Sequence, residues 1–165
     1  MNDFDGIEII KGIQRAALRN QMNQTHPMEL VREFMRTFQQ YVPSAPIMPD
    51  PVTQNLRYRL IDEEAQELSE ATNAKEYLDA VGDLLYVVYG AALAAGFSPH
   101  QVDAAFCEIH RSNMSKCWSD DEIDCIPADS RSHRVGENRH IVRRNDGKIV
   151  KSPSYSPARL EGYTR

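Results

Sequence analysis

The stretch "RLIDEEAQELSEA", residues 59–71, decides the fold. Leu56, Leu60, Leu68 and Ala71 recur at helical spacing, with Ile61 and Ala65 on the far flank of the same face, which predicts a helix over about 53–71. Its charges are oddly placed. At about 100° per residue Glu64 falls near the middle of the apolar face, Glu67 between Leu56 and Leu60, and Glu63 at the edge. Acid-rich helices are usually solvated along the acidic side. Carboxylates aimed at a core instead need a compensating cation, because an isolated buried carboxylate is costly or takes up a proton. Arg57 shares part of the face, but no lysine or arginine at matching spacing serves the whole cluster.

The next segment, "KEYLDAVGDLLYVVYGAALAAG" (75–96), predicts a helix over about 74–95 ended by Gly96 and apolar almost all round from Leu84. Such a helix is expected to be enclosed on every side. Asp79 and Asp83 lie four residues apart and share a face, and Gly82 and Gly90 leave bare backbone beside them. Packed antiparallel across the short "TNA" link, the two helices bring glutamates and aspartates together. Four or five oxygen donors without histidine or thiolate suit a hard divalent ion, Mg²⁺ or Mn²⁺.

Outward from this pair, a helix is predicted over 27–41 with the stripe Leu30, Phe34, Met35, Phe38, and an arm helix over about 6–20. "VPSAPIMPDPV" (42–52) forbids a helix and favours a stiff, extended connection. Ser98 and Pro99 open a further helix reaching about Cys117, whose stripe Val102, Ala105, Phe106, Ile109 is continued by Asn113 and Lys116. Residues 119–138 show no apolar period and read as a loop or insertion. "HIVRRNDGKIV" (140–150) reads as a hairpin around Asn145-Asp146-Gly147, and the last fifteen residues as an extended tail. The expected organisation is an arm over 1–25, a helical domain over 27–118, and an insertion, hairpin and tail over 119–165 that closes on the site. The fold class is all-α, a helical bundle with a short non-helical C-terminal hairpin and tail.

At 165 residues the chain is one ordinary domain by length. A net charge of -5 and a pI near 5.5 argue against a phosphate-backbone binder, so no nucleic acid is expected. The opening MNDFDGIEII carries three acids and is unlike a signal peptide, and no run of about 18 uninterrupted apolar residues predicts a membrane span. Three cysteines without CxxC spacing fit free thiols in a reducing compartment, which points to the cytoplasm. Cys117, Cys125, His133 and His140 invite a zinc reading, but their separations of eight, eight and seven residues do not match the short paired spacings of zinc fingers.

Glu63-Glu64-Ala65-Gln66-Glu67, followed by "LDAVGDLLYVVYGAALAAG", resembles the all-α nucleoside triphosphate pyrophosphohydrolases, the MazG-like superfamily that includes dimeric dUTPases and phosphoribosyl-ATP pyrophosphohydrolase. "HRSNMSK" (110–116), "DGK" (146–148) and "KSPSYSP" (151–157) resemble its small single-domain MazG-like branch rather than the enzyme of histidine synthesis. The resemblance covers about 30–118 and the tail from about 145. One departure is plain: the second motif is usually ExxD, whereas Ala80 stands three residues before Asp83 and the acid is Asp79.

The resemblance implies Mg²⁺-dependent hydrolysis of a (d)NTP between its α- and β-phosphates, giving the monophosphate and pyrophosphate. It implies Glu64, Glu67, Asp79 and Asp83 as metal ligands and Glu63 as general base or second-metal ligand. Asn113, Lys116, Lys148, Lys151 and Tyr155 are the candidate substrate contacts, against the plainer readings of a capped helix end and a solvated tail. Pocket residues are expected from the helix over 27–41, the proline segment and a second subunit, with Phe34, Phe38 or Tyr58 as base-stacking candidates. The all-round apolar helix predicts a homodimer or homotetramer. Two other functions stand beside this one: a catalytically idle metal- or nucleotide-binding module, and phosphoribosyl-ATP hydrolysis.

Overall fold

The computed structural model describes residues 25–164. The arm helix expected over 6–20 lies outside them. The described chain falls into two compact units, the first ending at Pro99 and the second beginning at His100.

The first unit is three helices, α1 (Pro27–Thr37), α2 (Pro51–Glu70) and α3 (Ala74–Ala94), with α3 packed on both α1 and α2. α1 starts at a proline, with His26 Nδ1 accepting the Met28 N–H at 3.1 Å. It ends four residues short of the expected Tyr41. Gln39 takes a left-handed φ of 55°, the Gln39 N–H reaches Arg36 O at 3.1 Å and the Gln40 N–H reaches Met35 O at 2.7 Å, the paired bonds that close a helix terminus. The buried face also differs from the expected stripe. Met28, Val31 and Met35 are buried, while Phe38 is 63 % exposed and stacks on Phe34 at 4.4 Å between ring centroids.

α2 is capped by Asp50, whose Oδ1 accepts the N–H groups of Val52 (2.9 Å) and Thr53 (3.1 Å), with Pro51 in the first position. α3 follows after three residues. Asn73 Oδ1 accepts from Lys75 and Glu76 N–H at 3.1 Å each, and Glu76 Oε2 accepts from both the N–H (2.9 Å) and hydroxyl (2.8 Å) of Thr72. This corner fixes the rotation of one helix against the other. At its far end α3 stops at Gly96, with φ 77°, where the Gly96 N–H bonds Leu93 O and the Phe97 N–H bonds Ala92 O. A side chain there would begin 2.1 Å from Ala45 O, because the proline segment passes directly over the glycine and Ile47 N–H bonds Ala95 O at 3.0 Å.

Contrary to expectation, the first unit does not enclose α3. Ala80, Gly90, Leu93 and Ala94 are buried, but Leu78 is 72 % and Leu85 52 % exposed, and Val88 is exposed as well.

The second unit holds α4 (Pro99–Met114), a 3₁₀ turn over Asp120–Cys125, and strands β1 (Ser130–Gly136) and β2 (Arg139–Arg144), paired antiparallel with Arg131 opposite Arg143 and His133 opposite Ile141. The insertion read as a loop therefore contains a strand. Its residues "SRSHRVG" have no apolar alternation because all but Ser130 are exposed, so there was no period to detect. The hairpin expected around Asn145-Asp146-Gly147 is present in reduced form: Arg143 bridges Ile149, Val150 N–H bonds Val142 O at 2.8 Å, and Gly147 supplies a φ of 86°. Trp118 and Val142 form the core of this unit. Trp118 exchanges backbone bonds with His140 and its Nε1 donates to Val150 O at 3.1 Å.

Candidate active site

Along α2 the half-buried positions are Thr53, Gln54, Arg57, Leu60, Ile61, Glu64 and Leu68, continued by Ala71 at the cap; apart from Gln54 they form one stripe at helical spacing. Glu64 stands in its middle, as its wheel position predicts. Leu56 does not belong to it and is half exposed, and Ile61 takes its place. Glu63 and Glu67 flank the stripe and are exposed.

The antiparallel pairing with α3 sets the acids opposite one another in steps of a turn. Near the corner Glu67, Glu70, Glu76 and Asp79 line one depression of about 220 Å³ together with Ala71 and Ala80. One turn further from the corner, Glu64 meets Asp83. Its carboxyl is pushed above the ordinary glutamate range, first by burial and then by the negative charges of Glu67, Asp83 and Glu63. Gly82 beside Asp83 opens onto free space. The two helices thus carry all five acids singled out from the sequence, with Glu63, Glu67 and Asp83 around the Glu64 carboxyl and Asp79 beside Glu67. Ala80, where an ExxD motif would carry its glutamate, is buried and lines the same depression as Asp79.

Among the described residues no three acidic, histidine or cysteine side chains converge tightly enough to form a metal-coordinating group. The donor set nevertheless suits a hard cation. Among the described residues no cation offsets the carboxylates around Glu64, and the one cation on the stripe, Arg57, donates from Nη2 to Gln40 Oε1 at 2.9 Å. Gly90 was expected to leave room for a ligand. It is instead covered by Arg57, whose Nη1 lies 3.1 Å from where a Cβ would stand.

The second unit assembles most of the candidate substrate contacts at the end of α4. Lys116 Nζ donates to Asn113 Oδ1 at 2.7 Å, Lys151 Nζ sits 4.2 Å over the Tyr155 ring, and the Tyr155 hydroxyl bonds Ser112 Oγ at 3.2 Å. Tyr155 is held below the usual phenol range by the Ser112 bond first and then by Lys151 and Lys116. Lys148 stands apart, after the Gly147 turn, with its N–H on Asp146 Oδ1. The tail is tied to α4 along its length. Ser152 Oγ donates to Ser115 O, Ser156 N–H donates to Ser115 Oγ, Arg111 Nη2 donates to Pro157 O, and Glu108 accepts from both Arg111 and the Arg159 N–H. Its serines and prolines gave little periodic signal; the repeated backbone bonds to Ser115 are what hold it.

The zinc reading fails on geometry. His140 Nε2 lies 2.6 Å from Asp120 Oδ1, Cys117 Sγ accepts from Arg139, and His133 pairs with Ile141, which puts it on the opposite face of the ribbon from His140.

Two comparisons bear on this arrangement. A 52-residue stretch is 50 % identical to a protein of Acanthamoeba polyphaga mimivirus described as uncharacterized protein L479, covering 30 % of this chain and 21 % of that one. The sequence pattern of the family described as phosphoribosyl-ATP pyrophosphohydrolase matches residues 31–113, which takes in α2, α3, every acid of the cluster and all but the last residue of α4. The chain therefore belongs to the phosphoribosyl-ATP pyrophosphohydrolase family, within the MazG-like nucleoside triphosphate pyrophosphohydrolase superfamily.

Proposed function

We propose that this chain is a divalent-metal-dependent nucleoside triphosphate pyrophosphohydrolase that converts a (d)NTP and water to the (d)NMP and pyrophosphate. One observation carries the reading: Glu64 sits on the inward stripe of α2 under the charge of Glu67, Asp83 and Glu63. A fold keeps four carboxylates in such proximity at a cost in repulsion, and a bound cation reverses that cost.

In this reading Glu64, Glu67, Asp83 and Asp79 hold the metal, Mg²⁺ or Mn²⁺. A cation bound there neutralises the triphosphate and lowers the pKa of the attacking water. Glu63, exposed at the edge of the cluster, accepts the proton of that water as its oxygen bonds the α-phosphorus. The bond from that phosphorus to the α,β-bridging oxygen breaks, and pyrophosphate leaves with the electron pair. Within the second unit, Asn113, Lys116, Lys148, Lys151 and Tyr155 remain the candidate phosphate-binding side chains.

The apolar side chains left open on α3 support a homodimer or homotetramer, which sedimentation at micromolar concentration tests. By length and composition alone α3 could also cross a membrane. Asp79 and Asp83 on that helix, and its packing on α1 and α2, support a core helix of a soluble, cytoplasmic enzyme instead.

The family's description favours a second substrate, phosphoribosyl-ATP, cleaved at the same bond. Product analysis separates the readings. Purified protein with Mg²⁺ or Mn²⁺ is given each dNTP, each NTP and phosphoribosyl-ATP, and monophosphate plus pyrophosphate is resolved from diphosphate plus phosphate. Pyrophosphate release lost in Glu64→Gln supports the assignment; no turnover of any substrate leaves the idle binding module.

A further inference from the structure

Two helical turns from Glu64 along α2, about 10 Å at the helical rise, Arg57 forms part of the wall of a groove of about 560 Å³. The proline segment makes the other wall, with Pro43, Ile47 and Met48 as apolar lining and Tyr41 beside them, 82 % exposed as a residue. The groove lies within the first unit, and a depression of this size accommodates a heterocyclic base.

Its polar chemistry is one-sided. Among the described residues Asp50 is the only acid on the wall, and its oxygens are engaged in capping α2, accepting from Val52 N–H, Thr53 N–H and the Thr53 hydroxyl. Arg57 has no carboxylate partner among the described residues. Its guanidinium is fixed between Gly90 and Gln40, partly desolvated, with Nε buried and unbonded. A guanidinium can only donate, so Gln40 must offer it Oε1 and turn its amide N–H₂ outward. Two obligate donors, Arg57 and the Gln40 amide, therefore line an apolar slot whose carboxylate, Asp50, is engaged in the cap, while the hydroxyls of Tyr41 and Thr53 can either donate or accept. A ligand edge carrying carbonyl oxygens satisfies them, whereas an amino group placed there leaves donors facing donors.

We infer that this groove holds the base of the nucleotide and selects bases with an oxo group at pyrimidine C4 or purine C6 (uracil, thymine, guanine) over cytosine and adenine, which carry an amino group at that position. The inference rests on the pyrophosphohydrolase reading for its reaction but has its own binding readout. The spacing along α2 allows the α-phosphate to lie at the Glu64 and Asp83 level while the base reaches Arg57.

The test compares kcat/KM for dTTP, dUTP and dGTP with that for dCTP and dATP, alongside equilibrium dialysis of dTMP and dCMP. Wild-type protein is expected to favour the oxo bases by roughly tenfold or more, the discrimination one buried donor–acceptor match provides. Gln40→Glu replaces outward donors with acceptors while keeping Arg57 paired, and should shrink that ratio by roughly tenfold. Gly90→Ala displaces the guanidinium by a few tenths of an ångström without touching the ligand, and should erode the same ratio. Hydrolysis without oxo preference, or a preference that survives Gln40→Glu, overturns the groove assignment and leaves the hydrolase reading standing. Selective binding of dTMP by a protein that hydrolyses nothing upholds the groove and removes the hydrolase. Binding of neither monophosphate overturns the assignment outright.

Discussion

Replacing Glu64 with glutamine should stabilise the protein in the absence of divalent metal. The side chain is half-buried under three like charges, Glu67, Asp83 and Glu63. A like-charge pair one turn apart on a helix costs about 0.2–0.5 kcal/mol, and the cross-helix pair with Asp83 is of the same order because the cluster is partly solvated. Neutralising Glu64 relieves both, for a gain of about 0.5–1 kcal/mol, or roughly 2–3 °C in Tm for a chain of this size. The sign with pH is definite. The folded carboxyl titrates above its ordinary value of 4.5, so the penalty is absent below about pH 4 and fully present by neutrality. The gap between variant and wild type should therefore open as pH rises. Metal inverts the order: a cation at a hundred times its Kd adds about 2.7 kcal/mol to wild type, roughly 5–10 °C, and much less to the variant. Scanning calorimetry of wild type and variant at about pH 4 and pH 7.5, with chelator or with Mn²⁺, reads these differences. A variant that melts lower than wild type in chelator, or that gains as much from Mn²⁺, would refute the crowding argument and the ligand assignment with it.

Gly96→Ala forces a Cβ into a left-handed residue 2.1 Å from Ala45 O, and a loss of about 2–4 kcal/mol is expected in urea titration, with the proline segment displaced. Glu108 is held down to about 2 by the Arg111 and Arg159 bonds. Its contribution is complete above its ordinary 4.5 and lost as pH falls toward 2, so Glu108→Gln should flatten the acid transition read by the single tryptophan. Trp118→Phe removes the Nε1 bond to Val150 O and leaves a small void, for about 1–2 kcal/mol, and protease cleavage of the tail after Val150 should quicken.

What was legible in the amino-acid sequence was the part governed by helical phase. Glu64 could be placed on the inward stripe because Leu60, Leu68 and Ala71 define that stripe within a few residues on either side. Leu56 was misplaced by the same wheel, since at the start of α2 the neighbouring chain is the proline segment and the groove faces it. The end of α1 was not legible, because Gln39 adopts a left-handed φ that glycine or asparagine normally signals. β1 could not be read at all: a two-stranded ribbon exposed along one strand imposes no alternation on "SRSHRVG". Nor could Gly90 be read correctly, as bare backbone serves a ligand and a packed guanidinium equally well until the register of α2 on α3 is known. The site was thus visible as a set of acids, and its second feature, the donor-lined groove, only as an arginine sharing their face.

The three-residue corner between α2 and α3 acts as a vernier for the chemistry beyond it. Thr72 and Asn73 clamp the first turn of α3 by four bonds, so the rotational phase of that helix is set at its root and carried outward without slack. One residue added there would swing Asp79 and Asp83 by about 100° and Gly90 with them, parting the acids of one level and uncovering Arg57 at the next. Electrostatic crowding and the groove's donors are consequently tuned together by a link that touches neither.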